Sequence, residues 1–209
     1  MKNPVLMFVL SLLFCATSVY AQENTEAPDE NSTDTKFEDL THGIGAAAGF
    51  TTGYGLSYRY YYNRMVFQAT FSPVVENPDN MTFSSGLTFM YRLTQTDYIN
   101  FYLYESNHWN YSVYEYESGG WYSYGSSNYY SSLTRDTESY IHSGVGVAFE
   151  FVLWDRVSVN LMTGYSVKYG RFHHLYHEFL NGELSNDGST VDYRFKIHPT
   201  IEGGLYYCF

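Results

Sequence analysis

From Ile141 to Leu153 the chain alternates between two kinds of residue. Ile141, Val145, Val147, Phe149, Phe151 and Leu153 share one parity, and His142, Gly144, Gly146, Ala148 and Glu150 share the other. Successive side chains of a strand point to opposite faces, so this period of two predicts a strand with one apolar and one polar face. The same sorting separates Val157, Val159, Leu161, Tyr165 and Val167 from Ser158, Asn160, Gly164, Ser166 and Lys168. It separates Met81, Phe83, Leu87, Phe89 and Leu93 from Thr82, Ser84, Gly86, Thr88 and Arg92. At the end of the chain, Tyr193, Phe195, Ile197, Ile201, Leu205, Tyr207 and Phe209 oppose Arg194, Lys196, His198, Glu202, Tyr206 and Cys208. The stretch 98–108 follows the pattern less strictly, and helical periodicity surfaces only briefly, near 172–180.

Eight such stretches are predicted: 43–52, 56–62, 65–74, 81–93, 98–108, 140–153, 157–169 and 193–209. Minimal connections follow the second, fourth and sixth, at Asn63-Arg64, 94–97 and Asp155-Arg156. Longer ones, at 75–80, 109–139 and 170–192, follow the third, fifth and seventh, while Gly53-Tyr54-Gly55 makes a short first connection. Short turns at one end and long loops at the other are the habit of outer-membrane barrels. A soluble sandwich or lipocalin-like barrel also alternates, but it turns its bulk inward. Here the polar parity is also rich in Gly, Ala and Ser, as suits a narrow interior, and the bulky parity suits lipid. The expectation is an all-β fold, a closed antiparallel eight-stranded transmembrane β-barrel over 42–209.

The start of the chain reads differently. Lys2, an apolar run from Val5 to Phe14 and the small-residue spacing of Val19-Tyr20-Ala21 predict a signal peptide over 1–21. Phe14 is too bulky before Cys15 for a lipoprotein cut. Cleavage after Ala21 removes Lys2 and no acid, moving the net charge from −11 to −12. It also leaves Cys208 as the only cysteine, so no intrachain disulfide can form. Residues 22–41 carry seven acids against Lys36 and little to bury, and are expected to be a disordered acidic leader. The acidic balance argues against nucleic acid as a partner, since phosphate needs a basic face.

The terminal segment Ile201-Glu202-Gly203-Gly204-Leu205-Tyr206-Tyr207-Cys208-Phe209 resembles the carboxyl-terminal signal of outer-membrane barrels. Together with Gly43 to Tyr62 and the eight-strand layout, it is similar to the OmpA/OmpX-like small barrels. The resemblance implies a place in the outer membrane of a Gram-negative cell, among lipid and lipopolysaccharide. It also implies that Ile201, Leu205, Tyr207 and Phe209 are read by the barrel assembly machinery. About activity it says little, because this architecture hosts adhesins, enzymes and structural proteins.

Candidate chemistry comes from the polar parity and the loops. Parity places Arg59, Arg92, Lys168, Arg194 and Lys196 inside with Glu150, Glu202, His142 and His198, a set that predicts a salt-bridged interior. The loop 109–139 interleaves Trp109, Tyr111, Tyr114, Tyr116, Trp121, Tyr122, Tyr124, Tyr129 and Tyr130 with Ser, Gly and Asn, a vocabulary suited to recognising an extracellular ligand. Surface recognition or adhesion is the expected role, with passive envelope maintenance as the alternative. Acidic loops could hold divalent cations, though a solvated surface explains them as well. A helix over 172–180 would put His173 and His177 on one face, beside His174 and Glu178, as metal ligands. No nucleophile with an oriented base is identifiable, since His142 and Ser143 must face opposite ways on a strand, and no cofactor is expected.

Overall fold

The computed structural model describes residues 40–77, 79–96, 98–123, 127–153 and 156–209, with the side chains of all of these except 76, 120–123 and 127–128. The expected signal peptide and residues 22–39 of the expected leader lie outside the described residues.

Eight strands follow one another: β1 (His42–Gly49), β2 (Gly53–Tyr62), β3 (Met65–Asn77), β4 (Asn80–Gln95), β5 (Ile99–Ser123), β6 (Ser127–Leu153), β7 (Val157–Leu180) and β8 (Glu183–Cys208). Each pairs antiparallel with the next, and β1 pairs with β8 from Gly43↔Cys208 to Ala48↔Gly203, so the sheet closes into a ring. At the seam, His42 and Phe209 exchange backbone hydrogen bonds of 3.0 and 2.8 Å.

Parity sorts the two faces of this ring. Ser57, Arg59, Gln68, Thr70, Tyr102, Ser106, His142, Glu150 and Glu202 are buried inside, while Leu56, Phe67, Leu87, Leu103, Val145, Leu161, Ile197 and Leu205 stand exposed outside. A cluster of Val66, Met90, Tyr102, Tyr104, Ala148 and Met162 fills the middle of the interior. The outer face is not uniformly apolar. Ser143 Oγ donates to Asn107 Oδ1 at 2.7 Å, and Asn107 Nδ2 donates to Glu105 Oε1 at 3.3 Å.

The strands are longer than the alternation predicts. Within the stretches 109–139 and 170–192, expected as loops, residues 109–123, 127–139 and 170–192 form the upper parts of two hairpins, β5–β6 and β7–β8. The β5–β6 register runs unbroken from Ile99↔Phe151 to Ser123↔Ser127. β4 accompanies β5 only as far as Asn80↔Tyr114, and β1 leaves β8 at Gly203. Above those points β5 to β8 continue as a four-stranded sheet with two free edges. Pro199, which has no N–H to present, stands on the free stretch of β8.

Local chemistry explains the turns. Asn181 and Gly182 join β7 to β8 with φ of 54° and 86°, the left-handed pair that a two-residue hairpin turn needs. Asn181 also accepts a 2.9 Å hydrogen bond at Oδ1 from the Tyr129 N–H and donates its own N–H to the Tyr129 carbonyl at 2.8 Å, tying the turn to β6. The stretch 172–180, where helical periodicity surfaces briefly and a helix would have grouped the histidines, is part of β7. On a strand His173 and His177 share a face but lie about 13 Å apart, too far to hold one ion. The first strand also differs from its expected 43–52: it ends at Gly49, and Gly53 to Gly55 belong to β2.

Candidate functional site

Two polar centres occupy the interior. The first is built around Glu150 on β6. Its Oε1 accepts from Arg59 Nη1 at 2.9 Å, Tyr61 Oη at 2.8 Å and Ser158 Oγ at 3.0 Å. Its Oε2 accepts from Tyr102 Oη at 2.6 Å and Asn100 Nδ2 at 3.2 Å. Arg59 turns its Nε to Gln68 Oε1 at 2.9 Å and lays its guanidinium 3.6 Å from the centre of the Tyr206 ring. Both charges are essentially sealed from solvent. A carboxylate surrounded by donors and one bidentate-capable cation is how a buried charge becomes tolerable.

The second centre is a capped loop. Residues 50–52 turn into the ring, where Glu202 on β8 accepts from the Thr51 N–H at 3.1 Å, Thr51 Oγ1 at 2.5 Å, the Thr52 N–H at 2.8 Å and Thr200 Oγ1 at 2.6 Å. Gly49 makes room for this, since a Cβ there would come within 2.6 Å of the Glu202 side chain. The Phe50 carbonyl accepts from His108 Nδ1 at 2.9 Å, and its ring lies 5.1 Å from His198 and 5.9 Å from His142. Glu202 therefore holds two backbone N–H groups and two threonine hydroxyls rather than a cation.

The expected charge network is thus divided. Arg59 and Glu150 meet; Arg92, Lys168, Arg194 and Lys196 do not join them. Arg92 is half-buried at the short-turn end, donating from Nη2 to the Asn63 carbonyl at 3.1 Å. Lys168, Arg194 and Lys196 keep the inward parity but stand higher, beside the free part of β8. Lys168 Nζ sits 3.5 Å above the Tyr140 ring, and Arg194 Cζ 4.7 Å above Phe172. Gln68, Asn100, Tyr61 and Tyr206 complete the Glu150 centre without having been singled out by residue type. Their inward parity was the available signal.

Of the aromatic residues expected of the recognition loop, Tyr124 lies outside the described residues, and Trp109 and Tyr111 sit below the projecting sheet, where β5 still pairs with β4. Trp109 and Tyr111 point outward, with Trp109 5.2 Å from Phe83, whereas Tyr114 and Tyr116 lie on the inner face. His174 Nδ1 and Asp136 Oδ1 are 2.5 Å apart there, and Tyr130 Oη donates to Glu178 Oε1 at 2.9 Å. Ile201, Leu205, Tyr207 and Phe209 form an exposed row on the outer face of β8. No group of three or more His, Cys, Asp or Glu side chains able to hold a metal ion occurs among the described residues. No family model and no curated protein matches the chain.

Proposed function

We propose that the chain is an integral outer-membrane β-barrel whose projecting sheet serves surface recognition. The observation that carries this reading is the inversion of polarity across the ring. A soluble protein gathers bulk inside and charge outside; here Arg59 and Glu150 are central, and Leu56, Leu161, Ile197, Ile201 and Leu205 are exposed. Hydrocarbon is the solvent in which such a surface is stable, and a closed ring leaves no strand edge within it. Side chains as large as Arg59, Tyr102, Tyr206, Met90 and Met162 fill the interior, which favours a scaffold over a diffusion pore.

The hairpins β5–β6 and β7–β8 supply the recognition element. They offer Tyr, Ser and Gly in a rigid frame, with large contact area at small entropic cost, and two free edges where an extended partner segment could add a strand. The exposed row ending at Phe209 fits contact with assembly machinery before insertion. Membrane fractionation with a heat-modifiability gel tests the setting. The expected outcome is a membrane-associated band that shifts on boiling, and an unshifted band in the soluble fraction would refute it. Removing 112–135 tests the role: binding to host glycans, matrix or neighbouring cells should be lost while the barrel still forms.

A further inference from the structure

Three cations stand together where β8 loses its β1 neighbour. Lys168 on β7 is directly opposite Lys196 on β8, and one step higher Gly170 is opposite Arg194. All three residues share the inward parity. Like charges facing each other across a strand pair are destabilising. Among the described residues no carboxylate lies within ion-pair distance of any of them, in a chain whose net charge is −11. Two are held by aromatic rings instead, Lys168 over Tyr140 and Arg194 over Phe172. A ring quadrupole fixes a cation without neutralising it, so these charges are positioned and still available.

The surroundings shape a site. Lys168, Arg194, Tyr140, Phe172 and Gly170, together with Glu138 and Arg171, line a shallow recess. Below it, the loop at 50–52 and the rings of Phe50, His142 and His198 close the interior. At its upper side, Glu138 on β6 and Asp192 on β8 stand in the next row, each directly opposite Phe172. An acidic rim over a cationic floor disfavours an extended polyanion and leaves room for one compact charge. The recess opens inward, away from the exposed apolar outer face, so its occupant arrives from water.

We propose that Lys168, Arg194 and Lys196 form a binding site for a compact oxyanion, a phosphate or carboxylate group carried on a water-soluble solute. Charge-assisted hydrogen bonds from two ammonium groups and a guanidinium supply the affinity, and removal of the Lys168–Lys196 repulsion adds to it.

Calorimetric titration of the folded chain in a neutral detergent tests this, with inorganic phosphate and glucuronate as probes and chloride of matched ionic strength as reference. Saturable binding of at least one probe is expected. The K168Q/R194Q variant should weaken it by at least about tenfold, and R135Q, which alters a cation elsewhere on the sheet, should leave it unchanged. Far-UV circular dichroism reports whether the double variant keeps its strands; should it not fold, K196Q alone, at an exposed position, supplies the same comparison. Absence of saturable binding by both probes, or undiminished binding by the folded variant, overturns the site. Displacement of both probes by anionic phosphatidylglycerol but not by phosphatidylcholine would make the occupant a lipid headgroup and overturn the assignment to a soluble solute.

Discussion

Glu150 is the residue on which the interior turns. It receives five side-chain donors from β2, β5 and β7. Removing its charge would leave the Arg59 guanidinium sealed without a counter-charge. Glu150→Gln should therefore cost about 3–5 kcal/mol in urea unfolding of the folded chain. Replacing Arg59 and Glu150 together by Met should cost less than the sum of the single changes, since both desolvated charges then leave together. Additive effects in that double-mutant cycle would show that the pair is not coupled. Parity made both residues legible as interior from the sequence. It could not pair them, because 91 positions separate them along the chain and only ring closure brings β2 and β6 within reach across the lumen. For Glu202 the expectation of a cation partner failed. A carboxylate is satisfied equally by amide N–H groups, and the loop residues Thr51 and Thr52 reach it first.

The long hairpins are decided at the scale of the element. Alternation fades above Tyr111 because both faces of the projecting sheet are wet, so neither parity needs to be apolar. The strands continue nonetheless, held by cross-strand backbone pairing. One signal for them was present: Asn-Gly at 181–182 is the strongest short-range hairpin mark, and it sits in the stretch read as a loop. A Cβ on Gly182 would meet nothing within 4 Å, so Gly182→Ala isolates the backbone cost of its φ of 86°. That cost should be about 1 kcal/mol, seen as roughly fivefold faster amide exchange over 170–192. Asn181→Ala should add the loss of the hydrogen bond from Tyr129 and speed exchange at the β6 tip as well. Unchanged exchange in both variants would mean that the turn does not hold the hairpin.

For the whole molecule, the decisive quantity is what solvent the outer face meets. Leu161 is 47% exposed in the middle of the outward row of β7. In the proposed bilayer setting Leu161→Arg should destabilise the protein by about 2–4 kcal/mol when unfolding is followed in phosphocholine vesicles. A ring surrounded by water would lose only about 0.5 kcal/mol at such a position. The two outcomes are far enough apart for one measurement to separate them, without reference to any ligand.

Which residues face inward was determined by the sequence alone, because a strand's period of two is a property of backbone geometry and needs no neighbours. The number of strands and the short turns between them followed from the same local rules. Tertiary structure decided everything that depends on register: that Arg59 finds Glu150 while Lys168 faces Lys196, that the first loop folds inward onto Glu202, and that four strands outrun the other four. Register is set by hydrogen bonding between chain segments far apart in sequence, and a one-residue slip along any strand would turn its side chains to the other face. No single segment carries that information by itself.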